Sequence, residues 1–327
     1  MTYDIVATLG PASEDAAIWD GMVAAGATAF RLNTSHLTLE DLGRWLERLG
    51  PFLESLEPRP YVVLDLQGSK WRLGGFPTAN LIRGATVEFV CAASTDRRDV
   101  LPVPHADFFR AAALSSKELS LNDAKIRLEV ERAGSDSLRA RVLQGGEISS
   151  GKGITYVSSE YRKESLGEKD RQILAQNRHR ACVRFAVSYV KDAAEMAKYR
   201  TLIGEATHLI AKLERPPALA EAAGIAGSAD ELWLCRGDLG AELDFRAMSE
   251  SVHRFSSHVA ALPVPTLLAG QVLEHMAEHP SPTRSEVCYL YDALAQGYRG
   301  VVLSDETAIG RYPVESCRIA ALFLTGR

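Results

Sequence analysis

Charged side chains follow several short apolar runs of this sequence, and their types suit phosphoryl chemistry. They occur in Arg31-Leu32-Asn33-Thr34-Ser35-His36, Asp65-Leu66-Gln67-Gly68, Lys212-Leu213-Glu214, Arg236-Gly237-Asp238-Leu239-Gly240 and Ser304-Asp305-Glu306-Thr307. Two carboxylates, completed by substrate oxygens and water, suit Mg²⁺, and an arginine and a lysine beside the metal suit a phosphoryl group. The pattern predicts a site that holds a phosphorylated small acid on a divalent metal. The alternative is a set of unrelated surface ion pairs at loop starts.

For these residues to meet, the apolar runs must be strands whose ends share one edge. Eight runs qualify: Ile5–Leu9, Ala29–Leu32, Tyr61–Leu66, Val183–Val187, Leu209–Leu213, Leu232–Cys235, Thr266–Leu268 and Val301–Leu303. Amphipathic helical patterns follow most of them, for example at Ala16–Ala25, Leu39–Leu49, Lys169–Gln176, Ala193–Leu202 and Glu286–Gln296. Continuous apolar runs are typical of buried parallel strands. We therefore predict an α/β fold, a (β/α)8 TIM barrel with its site at the C-terminal strand ends, and keep a doubly wound open sheet as the alternative.

One long segment interrupts this rhythm after the third predicted strand. It contains the strand-like stretches Thr86–Cys91, Lys125–Glu131 and Ser137–Leu143, separated by glycine-containing turns. A connection of this length needs structure of its own. We predict a small β-rich domain at residues 72–166, inserted between barrel parts 1–71 and 167–327.

The composition limits the classes of partner. The 327 residues carry a net charge of −5, which does not indicate binding to nucleic acid or to an anionic membrane. The five cysteines form no C-x-x-C pair, the residues after Met1 carry no apolar h-region, and no 18-residue apolar stretch occurs. We expect a cytoplasmic protein with reduced thiols. His275-x-x-Glu278-His279 resembles an inverted zinc-protease motif, but the segment is short, and we interpret both residues as surface histidines.

Several segments together resemble the pyruvate kinase family, almost from end to end outside the inserted domain. They are Ala7-Thr8-Leu9-Gly10-Pro11-Ala12-Ser13, Arg31–His36, Lys212-Leu213-Glu214, Arg236–Gly240, Pro282-Thr283-Arg284-Ser285-Glu286 and Leu303-Ser304-Asp305-Glu306-Thr307-Ala308. Each segment is weak by itself, whereas their order and spacing are specific. A shared fold hosts many chemistries, so the resemblance implies the fold more firmly than the function.

The resemblance implies a role for each matching residue. Lys212 would steady the phosphoryl group in transit and Arg31 would bind the phosphate. Glu214 and Asp238 would be the metal ligands, for Mg²⁺ or Mn²⁺. The substrate would contact Gly237, Asp238, Gly270 and Ser304, and the nucleotide would contact Arg72, His36 and Lys152. The monovalent-cation site would comprise Asn33, Ser35, Asp65 and Lys70.

Some positions depart from the family pattern. Ala269-Gly270-Gln271 lacks the usual threonine in the proton path to the enolate carbon, which should slow protonation and leave room for a larger substrate. Leu66 replaces a threonine ligand of the monovalent cation. Lys70 replaces a glutamate and resembles the potassium-independent branch, in which an ammonium substitutes for K⁺; the alternative is a solvated loop lysine. The sequence ends at Arg327, so we expect the family's C-terminal regulatory domain and its effector site to be absent.

These observations support a first hypothesis and two alternatives. The first is a Mg²⁺-dependent phosphotransferase acting between phosphoenolpyruvate, or a related enol-acid phosphate, and ADP/ATP, with weakened enolate protonation. The second is a metal-dependent pyruvate or enolate lyase or aldolase, and the third is a non-catalytic metabolite sensor. Retention of Arg31 and Lys212 argues against an aldolase, which needs no phosphoryl clamp. We expect a homodimer.

Overall fold

The computed structural model describes residues 3–122, 124–157 and 166–324. The strands within these ranges are, in chain order, β1 (Asp4–Thr8), β2 (Ala29–Asn33), β3 (Tyr61–Leu66), β4 (Ala79–Leu81), β5 (Thr86–Val90), β6 (Val100–Pro102), β7 (Glu118–Leu121), β8 (Ile126–Ala133), β9 (Ser137–Gln144), β10 (Gly146–Ile148), β11 (Ile154–Tyr156), β12 (Val183–Val187), β13 (Leu209–Leu213), β14 (Glu231–Cys235), β15 (Thr266–Ala269) and β16 (Gly300–Leu303). Strands β1–β3 and β12–β16 coincide with the eight predicted runs to within one residue at each end.

Helices follow most of the barrel strands. In chain order they are α1 (Ala16–Ala24), α2 (Leu39–Glu54), α3 (Ala106–Ala111), α4 (Glu168–Asn177), α5 (Ala193–Ile203), α6 (Pro216–Ala220), α7 (Ala222–Ala226), α8 (Arg236–Glu242), α9 (Phe245–Ser256), α10 (Arg284–Gln296), α11 (Asp305–Ala308) and α12 (Pro313–Ala320). Local chemistry explains several boundaries. Thr38 and Thr283 each form a capping box at the start of α2 and α10, and Gly297 ends α10 in the left-handed conformation. Within the described residues, no helix is long and apolar enough to cross a membrane.

Eight parallel strands close into a barrel in the order β1-β2-β3-β12-β13-β14-β15-β16, with β16 paired back to β1. This confirms the predicted (β/α)8 barrel and shows that the open-sheet alternative was wrong. The barrel interior is filled by inward side chains from every strand, including Val6, Ala29, Val63, Ile210 and Trp233. The outer faces of the strands are also buried, under the helices, and for this reason the strands are apolar along their whole length.

The described chain divides into two compact units. The first comprises residues 1–68, 166–236 and 251–327 and contains the barrel; the second comprises residues 69–165 and 237–250. In the second unit, β11, β7, β8, β9, β5 and β6 form a sheet in that order, and β10 pairs with β4. Its core packs Trp71, Phe108 and Tyr156 with ring centroids 5.0–5.9 Å apart. The second unit thus includes residues 237–250, which the sequence patterns alone placed in the barrel.

Candidate active site

An ion pair between neighbouring strands lies at the centre of the candidate site in the barrel. The register pairs Thr8 with Arg31 and Asn33 with Asp65, so that the ends of β1, β2 and β3 lie side by side. The guanidinium of Arg31 binds Asp65 Oδ2 through Nε at 2.7 Å and Nη2 at 2.6 Å, and donates from Nη1 to Thr8 Oγ1 at 2.9 Å. Arg31 is therefore fixed in orientation by two side chains on two different strands.

Lys212 joins this pair to a second carboxylate. Its Nζ lies 3.1 Å from Asp65 Oδ2 and 2.9 Å from Glu214 Oε1, and it donates to Ser188 Oγ at 2.9 Å. Lys212 and Glu214 are two residues apart, which places them on the same face of the chain at the end of β13. Ser188 in turn donates to Asp65 Oδ1 at 3.0 Å. Two cations and two anions are thus brought together from three barrel strands.

The electrostatics of this cluster oppose the effect of burial. Burial alone would raise the pKa of Asp65, but the charges of Lys212 and Arg31 outweigh it and lower that pKa. Burial alone would lower the pKa of Lys212, whereas the carboxylates of Asp65 and Glu214 raise it. Both groups are therefore charged at neutral pH, and the site presents a permanently cationic lysine and arginine.

Glu214 is held by the backbone that follows β12. The Tyr189 N–H donates to Glu214 Oε2 at 2.6 Å, and the Glu214 side chain is only 1% exposed. Tyr189 adopts a positive φ of 65°, which is uncommon for a residue with a side chain. The buried guanidinium of Arg215 lies 4.9 Å from the Tyr189 ring centroid and donates to the Tyr189 carbonyl at 3.2 Å. These contacts aim a backbone donor at the Glu214 carboxylate.

The turn after β3 requires glycine. Gly68 has a φ of +61°, and a Cβ at this position would lie 1.9 Å from the Ser188 carbonyl oxygen. The Asp170 carboxylate accepts hydrogen bonds from the N–H groups of Gln67, at 3.2 Å, and Gly68, at 3.0 Å. Burial raises the pKa of Asp170. The first residues of α4 therefore hold the turn that carries the chain away from Asp65.

Two further anchors fix the loops after β15 and β16. Glu306, which is buried, accepts hydrogen bonds from the N–H groups of Leu273 at 2.8 Å and Ser304 at 2.6 Å. Arg236 donates to the carbonyls of Gly270 and Gln271, at 2.7 and 2.9 Å from Nη2, and its guanidinium lies 4.7 Å from the Tyr289 ring centroid. Gly270 and Gln271 have positive φ values of 80° and 54°. A single arginine thus stabilises the unusual backbone of the predicted substrate loop.

Other predicted site residues lie elsewhere in the barrel unit or in the second unit. His36 is exposed in the turn after β2, where Asn33 Oδ1 accepts the Ser35 N–H at 3.2 Å. In the second unit, the Lys70 ammonium pairs with the Asp238 carboxylate, and Lys70 is buried. A Cβ on Gly153 would lie 2.4 Å from Lys70 Cε. The alternative interpretation of Lys70 as a solvated loop lysine was therefore wrong.

The predicted nucleotide contacts Arg72 and Lys152 both belong to the second unit. Arg72 forms a bridge with Gly153 and donates from Nη1 to the Gly151 carbonyl at 2.9 Å, and both Arg72 and Lys152 are partly exposed. Across the described ranges, no group of three or more His, Cys, Asp or Glu side chains is arranged to hold a metal ion. Mg²⁺ commonly takes only one or two protein carboxylates.

Several residues that organise the site had no role assigned to them from the sequence. They are Thr8, Gly68, Asp170, Ser188, Tyr189, Arg215, Arg236 and Glu306. The useful signal for Ser188 and Tyr189 is their position directly after the fourth predicted strand. Asp170 and Glu306 act on backbone N–H groups that are distant along the chain, for which sequence spacing gives no signal.

The fold and this cluster define a (β/α)8-barrel protein whose charged residues converge at the C-terminal strand ends, where such barrels carry their active sites. The family described as "Pyruvate kinase, barrel domain" matches residues 2–317. The chain belongs to the pyruvate kinase family, as the resemblance predicted. Membership supports an enzyme of the kinase type.

Individual relatives agree with this assignment. A pyruvate kinase of Agrobacterium vitis is 33% identical over 321 residues, covering 96% of this chain and 67% of the relative. Pyruvate kinases of Methylorubrum extorquens and Aeropyrum pernix are 33% and 32% identical over 95% of this chain. The matched stretch covers 66% and 68% of these two relatives. The chain thus spans about two thirds of the length of these relatives.

Proposed function

We propose that this chain transfers a phosphoryl group between phosphoenolpyruvate, or a related enol-acid phosphate, and ADP/ATP. The observation that carries the proposal is the buried cluster of Arg31, Asp65, Lys212 and Glu214 at the ends of β2, β3 and β13. Phosphoryl transfer depends mainly on positioning and on neutralising charge, and a preoriented arginine and lysine supply both. Family membership supports the same reaction class.

Within the barrel, we assign the phosphate-binding role to Arg31 and the transfer role to Lys212. Arg31 has its guanidinium oriented by Asp65 and Thr8, so that little side-chain freedom is lost when it binds an anion. Lys212 contacts Asp65, Glu214 and Ser188, and this accounts for the three N–H bonds of its ammonium. A phosphoryl oxygen must therefore replace one of these partners.

Glu214 is the partner most suited to being replaced. We propose Glu214 and Asp238 as the ligands of Mg²⁺ or Mn²⁺, because their carboxylate oxygens are the donors that these ions prefer. The ion would supply charge neutralisation to the phosphoryl group. Glu214 would then share its negative charge with the ion, which frees one Lys212 N–H to donate to the transferring group. Asp238, in its own unit, would likewise loosen its pairing with Lys70.

We further propose that Lys70 supplies the charge that K⁺ would otherwise provide, alongside the predicted site residues Asn33, Ser35 and Asp65. Nucleotide contacts are proposed for Arg72, His36 and Lys152, and substrate contacts for Gly237, Gly270 and Ser304.

Slow protonation of the enolate is proposed because the segment containing Gly270 lacks the usual threonine. Restoring a threonine there is not a clean test, because the φ of +80° would strain a β-branched side chain.

The test is phosphorus NMR of the purified chain with phosphoenolpyruvate, Mg²⁺ and ADP, with and without K⁺. We expect ATP to form at the same rate in both, and proton NMR should show pyruvate appearing after a lag if protonation is slow. The Lys212→Met variant is the matched control for a contaminating kinase. We expect its rate to fall by about 10²- to 10³-fold, as for loss of one preorganised transition-state donor.

Other outcomes separate the alternatives. If phosphoenolpyruvate remains intact with every nucleotide offered, phosphotransfer from that substrate is excluded. Consumption of pyruvate and an aldehyde with a metal alone would then favour a lyase or aldolase. Metal-dependent binding of the acid without turnover would favour a sensor. An unchanged rate in Lys212→Met would remove that residue from the mechanism.

A further inference from the structure

The structure assigns a second metal site to the barrel unit: we propose that His275 and His279 together bind a d-block divalent cation such as Zn²⁺ or Ni²⁺. The two residues lie between β15 and α10, and both are exposed. They are separate from the residues proposed above for substrate, nucleotide and Mg²⁺. The ligand chemistry also differs, since imidazole nitrogen suits Zn²⁺, Cu²⁺ and Ni²⁺, whereas Mg²⁺ prefers oxygen.

The backbone places the two imidazoles on one side of a turn. The His279 N–H donates to the His275 carbonyl at 3.0 Å, which is the spacing of an α-helical turn and puts side chains four residues apart on the same face. The rings are nearly parallel, with centroids 4.0 Å apart and an interplanar angle of 15°. At this distance, rotation of the His279 side chain would bring its ring nitrogen toward an ion held on His275.

A carbonyl group fixes the tautomer of His275. Its Nδ1 lies 3.0 Å from the Ser281 carbonyl oxygen, which can only accept, so Nδ1 carries the proton. The lone pair is consequently on Nε2 and is available to a metal. A ligating histidine in proteins usually has its other ring nitrogen bound to a carbonyl or carboxylate in this way, which orients the ring and raises its basicity.

The turn itself is held in place before any ion binds. The His275 N–H donates to Glu286 Oε1 at 2.9 Å, and the Thr283 N–H donates to the other oxygen of the same carboxylate at 2.8 Å. The Arg311 N–H donates to the Ala277 carbonyl at 2.9 Å, and Met276 is buried. Because the backbone is already ordered, binding loses little conformational entropy. With two imidazoles as protein ligands, water completes the coordination.

The experiment is a calorimetric titration with Zn²⁺, and separately with Ni²⁺, in excess Mg²⁺ so that oxygen-ligand sites are saturated. A background of Cys91→Ser and Cys288→Ser removes the exposed thiols, which also bind these metals. We expect one equivalent to bind. Either His275→Gln or His279→Gln should weaken binding by about tenfold or more, since even loss of an outer-shell partner costs about 10- to 100-fold.

The matched control is His253→Gln, which removes an exposed histidine from α9 and should leave the affinity unchanged. A second readout is proton NMR, in which substoichiometric Ni²⁺ should broaden the ring signals of His275 and His279 before those of other histidines. The proposal is overturned if the parent background binds no ion, or if the variant that carries both His275→Gln and His279→Gln still binds one equivalent. Neither result depends on phosphotransferase activity, so this inference and the proposed function can fail independently.

Discussion

The two ends of the barrel both contain a buried cluster of polar residues, yet the clusters are built differently. At the C-terminal strand ends, Asp65 is shared by two cations, Arg31 and Lys212, and Lys212 is shared by two carboxylates. Arg31, Asp65 and Lys212 each contact an opposite charge on another strand, and Glu214 contacts Lys212 at the end of its own strand. In the proposed function, binding a substrate or metal would require exchanging these partners, which a network of ion pairs allows.

At the N-terminal strand ends, one carboxylate is surrounded mainly by aromatic rings. Glu231 accepts the Trp233 indole N–H at 2.5 Å and lies 3.3 Å from His208 Nε2 and 3.4 Å from Arg184 Nη1. The Arg184 guanidinium stacks 3.4 Å from the Tyr61 ring centroid. Burial and the nearby carboxylates of Glu231 and Asp4 raise the pKa of Tyr61, which keeps it neutral.

This difference fits the placement of the proposed active site at the C-terminal strand ends. A buried ion pair stabilises poorly relative to apolar packing, because desolvation offsets most of its attraction. The C-terminal cluster is therefore an inefficient way to hold the barrel together and an effective way to present charge. In the N-terminal cluster, Glu231 is held by the Trp233 indole and by the partly exposed Arg184, which stacks on Tyr61, as expected of a part that contributes stability.

The largest expected contrast comes from the same chemical change at each end, Asp65→Asn and Glu231→Gln. Asp65→Asn leaves Lys212 and Arg31 short of negative charge, and should cost about 3–5 kcal/mol of unfolding free energy and about 100-fold or more in turnover. Glu231→Gln removes the negative charge beside the partly exposed Arg184 and His208 and weakens the hydrogen bond from Trp233, and should cost about 1–2 kcal/mol with turnover nearly unchanged. Urea unfolding measures the loss of stability in each variant, and initial rates measure its turnover. Equal losses of turnover would refute the division of roles.

A second contrast uses two glycines that both lack room for a side chain. In Gly68→Ala the new Cβ would lie 1.9 Å from the Ser188 carbonyl, and in Gly300→Ala 2.2 Å from the Asp4 carbonyl at the opposite end. Each variant should lose about 2–4 kcal/mol of unfolding free energy. Only Gly68→Ala should lower turnover in the folded protein, because it displaces Ser188 from Lys212.

Gly43→Ala, within α2, is the control for the glycine substitutions themselves. A Cβ there meets open space, so the variant should gain about 0.5–1 kcal/mol of unfolding free energy. Turnover that fell equally in Gly68→Ala and Gly300→Ala, once the fraction folded is taken into account, would show that displacement of Ser188 is not the cause.

The smallest effect is in the pH dependence of stability. The folded-state pKa of Asp65 lies below the usual value of 3.8, because Lys212 and Arg31 outweigh burial. A carboxyl with a lowered folded pKa contributes stability that is fully present above the unfolded pKa and is lost as pH falls through the folded pKa. The difference in unfolding free energy between the parent and Asp65→Asn should thus be constant above about pH 5 and shrink below about pH 4. A difference that grew on acidification would contradict this.

Much of the fold could be predicted from the continuous apolar runs and from the amphipathic helical patterns that follow them. The run Tyr61–Leu66 and the pairing of Lys212 with Glu214, two residues apart, correctly indicated strand ends that carry charge. The inserted segment was predicted as β-rich, but its short strands at Glu118–Leu121 and Ile154–Tyr156 were missed. Strands of three or four residues contain too few alternations for a period to be recognised.

The barrel, the insertion and the types of residue at the strand ends can be read from the amino-acid sequence, because they depend on apolar runs, helical patterns and segment order. Which charges meet depends on the tertiary structure. Asp65 faces both Arg31 and Lys212 because β3 pairs with β2 on one side and is separated from β13 by β12 alone on the other. Lys70 pairs with Asp238 although 168 positions separate them. Such partnerships depend on distances across the fold, which spacing along the chain does not encode.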